Sequence, residues 1–485
     1  MEEHRSGLQK ESDEMESGKA VLSTIHTPYD DMIPSSDEPS AKFYLEVIRV
    51  YLGICAGTVS FEKAIDAVEE LKDNPEFAKS PTDPTVLPVN DRLKERLLDN
   101  LETVRKYKMC TADSIRSAYS FAFLNQDAPI SPTDSEVLVF FAERPTATLV
   151  DCADELGYTS RTVSRSLKRL RERNSMRFSC IVDQSAFGIT SAIVFFKLRD
   201  DVEWESVEAA LSAFPFTKAI LKTTMSPLGY FSVLYPTTDE NRRIFQASLD
   251  KLSNTMFSYM GYHEQQAAGA TSNFSLFSDE EWQFPETFEH KLDPDVEIES
   301  MPPLLRNKGK TKSAQFKEYA IISQLTQDAR ASPSRVHTRL QRLGWDLTSR
   351  QVGYLMRRIH EEELVLPYLT VGGLRLSASF CFEILCTSEW RNRLVYAAAE
   401  VPQTMYYQSE QGVIVWAQVP AKHQVEYYQA FRSLEQNEGV WSVNPIMTIA
   451  QKGSRTMLDI TREWDYSDGT WHVPSHDLDL ADYFY

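Results

Sequence analysis

The chain has 485 residues, 42% hydrophobic and 25% charged, a globular composition too long for one core and suited to about three folded units. Its net charge of −19 counts against a uniformly basic nucleic-acid binder, but the sum does not describe the face shown to a polyanion. No apolar run approaches the roughly 20 residues that span a bilayer, and the first residues are charged rather than apolar, so a cytoplasmic protein without a membrane partner is expected.

In chain order, residues 1–40 are rich in Glu, Asp, Ser and Pro and read as a disordered acidic tail. Residues 41–127 have a helical apolar period (Phe43, Val47, Val50, Tyr51, then Ala64, Val68, Leu71) broken by a Pro/Asp/Thr stretch, and read as an all-helical domain. A helix-turn-helix with a following strand is predicted over 130–183, and an α+β domain over 188–265. The acidic, aromatic stretch 266–312 reads as a linker ending in the basic segment Arg306 to Lys312. A second helix-turn-helix is expected over 313–371, a second α+β domain over 374–452, and an acidic aromatic tail over 453–485. The acidic terminal segments are expected to compete with DNA for basic surfaces.

The first helix-turn-helix spans Leu149 to Leu170. Gly157 ends its first helix, being free to take a positive φ, and Thr159 or Ser160 caps the next. In the second helix Val163, Ser166, Leu167 and Leu170 share one stripe and should face a core. The opposite stripe is Arg161, Arg165, Lys168 and Glu172. A helix of this kind fits the major groove, where Arg and Lys reach base edges and neutralise phosphates. The predicted DNA-contacting residues are Ser160, Arg161, Ser164, Arg165, Lys168 and Arg169.

The run from Ser160 to Leu170 recurs as Ser349 to Ile359, an offset of 189 residues; Leu156-Gly157 recurs as Leu343-Gly344, and Ser191-Ala192 as Ser377-Ala378. Near-constant offsets mark an internal duplication with a turn two residues longer in the second copy. There the inner stripe is Val352, Leu355, Met356 and Ile359, and the outer one Arg350, Tyr354, Arg357 and Glu361. Arg350, Tyr354, Arg357 and Arg358 are the second set of predicted DNA contacts. One arginine has become tyrosine, so the second copy is expected to be the weaker reader. After each motif the elements read β-α-β-β-α-β, a ferredoxin-like order.

The order helix-turn-helix with wing, then β-α-β-β-α-β, resembles the Lrp/AsnC family of transcription regulators. Leu156 to Val163 and Ser409 to Trp416 carry the resemblance most closely, and it covers somewhat over half the chain. It implies winged helices, dimer-like pairing of the α+β domains, here within one chain as a pseudo-dimer or between chains as a homo-oligomer, and a small-molecule effector between them. The chain departs from the pattern in its two modules, its helical N-terminal domain, and the effector turn, Ser226-Pro227-Leu228-Gly229 in the first copy and Gln411-Gly412 in the second.

No catalytic constellation is read, and no cofactor or metal is expected. His263-Glu264 and His360-Glu361 lack the second histidine of a His-Glu-x-x-His zinc site, and Gly309-Lys310-Thr311 lacks the upstream glycine of a phosphate loop. A siroheme decarboxylase-like enzyme resembles two such modules side by side, but no histidine stands in Val401 to Gln408 or Thr217 to Met225. A protein-interaction scaffold is the third reading. The six cysteines show no Cys-x-x-Cys spacing, which predicts reduced, buried thiols, with Cys381 and Cys386 on opposite faces of one strand.

Overall fold

The computed structural model describes residues 25–33, parts of 45–70, and 130–485 except 175, 224–227, 279–280, 313, 373, 377, 448 and 485. Met1–Tyr119 and Ser120–Tyr485 form separate units. In the first, Asp30 lies 3.5 Å from Arg49, and helical turns occur among residues 45–70. The expectations for residues 1–24 and 71–127, and for Cys55 and Cys110, lie outside the described residues.

The second unit is mixed α+β with antiparallel sheets. Helices α1 (Pro132–Glu143), α2 (Leu149–Leu156) and α3 (Ser160–Arg173) lead into β1 (Arg177–Val182). Next come β2 (Ile189–Leu198), α4 (Trp204–Ala213), β3 (Thr217–Thr223), β4 (Leu228–Pro236), α5 (Asp239–Thr255) and β5 (Phe257–Glu264). The second copy repeats this order with α7 (Phe316–Leu325), α8 (Pro333–Arg342), α9 (Ser349–Glu361) and β10 (Val365–Thr370). It continues with β11 (Ala378–Cys386), α10 (Ser388–Ala398), β12 (Gln403–Gln408), β13 (Gly412–Val419), α11 (Gln424–Ser433) and β14 (Val440–Met447).

Each copy's four-stranded sheet has the same order, β5-β2-β4-β3 and β14-β11-β13-β12. The faces turned towards each other are apolar: Ile193, Phe195, Leu221 and Tyr230 of the first sheet meet Cys381, Tyr407, Ile414 and Ile446 of the second in one buried cluster. Period-two alternation accounts for this, since each strand sends alternate side chains to the helices and to the opposing sheet. Cys381 lies in that intersheet cluster and Cys386 among the helix-facing residues, on opposite faces as the odd spacing requires.

Two segments expected to be a linker and a tail are instead woven into the body. After β5, strand β6 (Ala267–Thr271) leaves its own copy and pairs antiparallel with β12, and β9 (Leu305–Arg306) pairs with β6 in turn. After β14, strand β15 (Ile449–Ser454) crosses the other way and pairs with β3. Each copy thereby lends a strand to the other's sheet. Gly269 permits the close approach on one side, because a Cβ there would lie 2.2 Å from the Tyr406 ring and 2.4 Å from the Pro303 carbonyl.

Each chain segment then returns to its own helices. The hairpin β7 (Phe277–Ser278) and β8 (Glu281–Trp282) puts Phe277 and Trp282 into the core of α1, α2 and α3. The later hairpin, β16 (Asp465–Ser467) and β17 (Thr470–His472), puts Trp471 into the core of α7, α8 and α9, beside Met457 and Ile460 of helix α12 (Met457–Thr461). Finally α6 (Thr287–Leu292) buries Phe288 and Leu292 in the second copy's helix-and-sheet core. Near the C-terminus, the Ala481 amide donates to Ser248 in α5 of the first copy at 2.9 Å. The segments 266–312 and 453–485 are therefore structural: their acidity is real, but their aromatic residues fill cores rather than face water. The duplication extends through both, with Phe277-Ser278-Asp279 and Trp282 and Pro285 matching Tyr466-Ser467-Asp468 and Trp471 and Pro474 at the same offset of 189 residues.

Candidate nucleic-acid interface

Local chemistry builds the first helix pair. Thr148 accepts from the Asp151 amide at 3.1 Å while the Asp151 carboxylate accepts from the Thr148 amide at 2.7 Å, a reciprocal cap at the start of α2. Gly157 ends α2 at φ 70°, a left-handed conformation that costs a residue with a Cβ more. Thr159 then caps α3 by accepting from the Thr162 amide at 3.1 Å. The second copy uses Gly344 at φ 81° and the Thr348–Gln351 reciprocal cap, with the turn between glycine and helix two residues longer.

On α3 the inner stripe is buried as its period requires: Val163, Ser166, Leu167 and Leu170 all face the core. Ser160, Arg161, Ser164, Arg165 and Lys168 are exposed. Arg169 is different. Its guanidinium reaches back to α1 and bonds both oxygens of Asp134, at 2.6 and 3.2 Å, while Ser166 donates to the same carboxylate at 2.5 Å. Burial of Asp134 pushes its pKa up, but the bonds from Arg169, Ser166 and Ser131 outweigh this and hold it below the usual carboxylate range. Arg169 is a strut between helices, which removes it from the exposed face.

The second copy repeats the strut. Arg358, at the position matching Arg169, pairs with Glu318 on α7, a carboxylate only 2% exposed. Val352, Met356 and Ile359 are buried, with Leu355 partly buried against the same core. Arg350, Tyr354 and Arg357 are exposed, Tyr354 to 58%. Gly353 stands where α3 has Ser164, so α9 also lacks that hydroxyl.

The two helix units are joined rigidly. β1 pairs antiparallel with β10, Arg177 opposite Thr370 and Val182 opposite Val365, so residues 188 apart are equivalent and the ribbon has a local two-fold axis. The cores interpenetrate across it: Leu369, Val371 and Leu374 complete the first unit, and Cys180, Val182 and Phe187 the second. Arg330, before α8, places its guanidinium 4.7 Å from the Phe141 ring centroid and 4.9 Å from that of Phe178, and donates to the Pro145 carbonyl at 3.1 Å. The Ala329 amide donates to the Phe178 carbonyl at 3.0 Å. A cation held against two aromatic faces and tied by hydrogen bonds leaves little room for hinge motion.

The basic segment after β9 is likewise pinned rather than loose. The Lys308 amide donates to Asp183 at 3.0 Å and the Gly309 amide to Ser185 at 3.0 Å. Its exposed cations, Arg306, Lys310 and Lys312, lie along the body.

One polar cluster escaped the sequence reading. His263, fully buried at the end of β5, is 2.7 Å by Nε2 from a Glu383 carboxylate oxygen on β11, and 2.8 Å by Nδ1 from the Ser409 hydroxyl. The other Glu383 oxygen accepts from Tyr259 at 2.8 Å and from the Asn444 side-chain amide at 2.7 Å. Burial pushes the Tyr259 phenol pKa up, and the Glu383 charge adds to this. Gly261 leaves the space, since a Cβ there would lie 2.3 Å from the Glu383 oxygen. Charged or polar residues at inward positions of otherwise apolar strands were the available signal. A fully satisfied network of this kind fixes the register of two packed sheets.

Among the described residues no group of His, Cys, Asp and Glu side chains is arranged to hold a metal ion, and no helix is long and apolar enough to cross a membrane. Cys152, Cys180, Cys381 and Cys386 are buried and unpaired with one another. Burial raises the Cys152 thiol to about 11 and the Cys386 thiol to about 12, leaving both protonated and inert at neutral pH. Of the effector-turn residues, 224–227 lie outside the described residues. In the second copy Ser409 and Gly412 close a tight turn by hydrogen bonds between them.

No family model and no curated protein matches the sequence. Among solved structures, the siroheme decarboxylase NirDL is distantly similar, with a TM-score of 0.35 and 11% identity over 68% of this chain and 96% of that one. The same enzyme in co-complex with an iron-uroporphyrin III analogue gives a TM-score of 0.35 and 12% identity. A transcriptional regulator of Neisseria meningitidis, solved with L-Met, covers 28% of this chain and 89% of its own, with a TM-score of 0.21 and 14% identity. At this distance function must be argued from the residues themselves.

Proposed function

We propose that this chain is a sequence-specific regulator that binds double-stranded DNA, of the Lrp/AsnC type, with winged helix-turn-helix units whose first recognition helix is α3. The observation that carries the reading is the separation of roles on that helix. Val163, Leu167 and Leu170 pack inward and Arg169 is spent on Asp134, while Arg161, Arg165 and Lys168 stay exposed with Ser160 and Ser164 between them. Arginine can bond both acceptors of guanine in the major groove, and lysine and serine hydroxyls suit phosphate oxygens. The net charge of −19 is compatible with this, because the binding face is a local feature.

The reading is non-enzymatic. The one fully buried histidine between the sheets has both ring nitrogens engaged, by Glu383 and Ser409. It includes no effector between the sheets either, since that space is filled by Phe195, Tyr230, Cys381, Tyr407 and Ile414.

Selection of bound fragments from random duplex DNA tests it, repeated with Arg161, Arg165 and Lys168 all changed to alanine. The wild-type chain should enrich a motif and the variant lose it, with wild-type affinity falling steeply as salt rises. A motif enriched equally by both proteins, or no enrichment at low salt, sinks the proposal.

A further inference from the structure

We infer that a single chain reads one composite DNA site, made of two unlike half-sites held at one fixed spacing, without needing a second copy of itself. The inference rests on the DNA-binding reading above and adds the geometry of the target. Proteins that read paired half-sites ordinarily bring two identical subunits together across a dyad, and the operator mirrors that symmetry. Here the dyad lies inside one chain. Helix α3 runs directly into β1 and α9 directly into β10, and these strands pair in the register that makes residues 188 apart equivalent. The exchange of β6 and β15 between sheets repeats the same two-fold relation.

Fixed spacing follows from how the halves are joined. Each helix unit's core is completed by residues of the other copy, and Arg330 is clamped between Phe141 and Phe178. A unit cannot swing away without opening two cores at once. Covalent dimers joined by a flexible tether would tolerate variable spacing; this one is joined by a sheet and shared packing.

Unlike half-sites follow from the two faces. The α3 face offers Arg161, Ser164, Arg165 and Lys168, which favours guanine acceptors flanked by phosphate. The α9 face offers Arg350, Gly353, Tyr354 and Arg357, and the exposed Tyr354 ring presents an apolar flank suited to a thymine methyl. A pseudo-symmetric protein with unequal faces orients itself on DNA, which a true dimer on a palindrome does not.

The test uses the full chain and the duplex recovered from random-sequence selection. Three duplexes are compared by titration: the recovered site, the site reduced to its α3 half, and the site with about 5 base pairs, half a helical turn, inserted between halves. Binding should fall roughly 10-fold or more on insertion, to the level of the isolated half, because the second helix then meets the wrong face of the duplex. Sedimentation should find one chain per recovered duplex. Changing Arg350, Tyr354 and Arg357 to alanine should blur only the second half of the motif. These side chains are exposed, and unchanged unfolding of the variant confirms an intact fold. A palindromic motif bound by two chains, or affinity indifferent to the insertion, overturns this inference while leaving DNA binding in place. Failure to recover any motif overturns both.

Discussion

In the first helix unit the outward side of α3 carries Arg161, Ser164, Arg165 and Lys168; at matching places α9 carries Arg350, Gly353, Tyr354 and Arg357. The inward features of the two units run parallel. Both tie the third helix to the first by an arginine and a buried carboxylate, Arg169 with Asp134 and Arg358 with Glu318. Both start the third helix on a threonine cap, and both bury a tryptophan from a hairpin that follows the sheet domain. The difference is therefore confined to the surface left for a partner. Packing constrains the interior of each copy in the same way, whereas the outer face answers only to what it binds.

The hairpins give the largest expected effect. Trp282→Ala and Trp471→Ala each remove a buried indole that seals one helix unit, and each should cost about 3–5 kcal/mol in denaturant unfolding. Hydrogen exchange should localise the first loss to α1 through α3 and the second to α7 through α9. Trp282 also donates to the Leu374 carbonyl, while the Trp471 indole nitrogen is buried without a partner. The first substitution should therefore be the more costly of the two. Exchange that rises across both units in either variant would mean the halves do not keep separate cores.

A smaller effect separates the sheets. Glu383 and Lys197 occupy matching places in β11 and β2, 186 residues apart, yet Glu383 is fully buried and Lys197 exposed. Glu383→Gln disturbs acceptors serving His263, Tyr259 and Asn444, and should cost about 1–3 kcal/mol. Lys197→Gln should change stability by less than about 0.5 kcal/mol. Equal effects at the two positions would show that the buried network contributes nothing that a surface position does not.

Much of this was legible in the sequence, and the failures have physical causes. The stripe Val163, Ser166, Leu167 and Leu170 and the glycines 157 and 344 are local signals, and local periodicity and turn chemistry decide such elements. Strand β6 is Ala-Ala-Gly-Ala-Thr, which has no β-branched or aromatic alternation, and its partner β12 lies more than a hundred residues on. Only tertiary pairing makes it a strand. The hairpin match of Phe277-Ser278-Asp279 to Tyr466-Ser467-Asp468 was visible, but acidic composition led to reading both segments as unstructured. At the candidate site, Arg161, Arg165 and Lys168 follow from helical period alone. Arg169 sits next to them on the helical wheel, and only the position of Asp134 across the helix pair turns it inward.

The carboxylate behind Arg169 sharpens the comparison of the units through pH. Asp134 is held below its ordinary value of 3.8, the bonds from Arg169, Ser166 and Ser131 outweighing its burial. A carboxylate with a depressed folded pKa contributes stability that is complete above the unfolded value. That contribution is lost as pH falls through the lower folded value. Asp134 should thus stabilise the first unit fully at neutral pH, and the stabilisation should decay below about pH 4 as the unfolded chain takes up its proton first. Asp134→Asn keeps the shape but gives up the charge-assisted bond, and should cost about 1–2 kcal/mol at pH 7. The cost should shrink towards zero as the wild-type carboxylate protonates. Hydrogen exchange of α1 and α3 as a function of pH reads this out, with α7 and α9 as the internal control, because they contain no part of the Asp134 cluster. A deficit of the variant that persists undiminished well below pH 3 would show that shape rather than charge ties α3 to α1. The exposure of Arg161, Arg165 and Lys168 would then rest on packing alone.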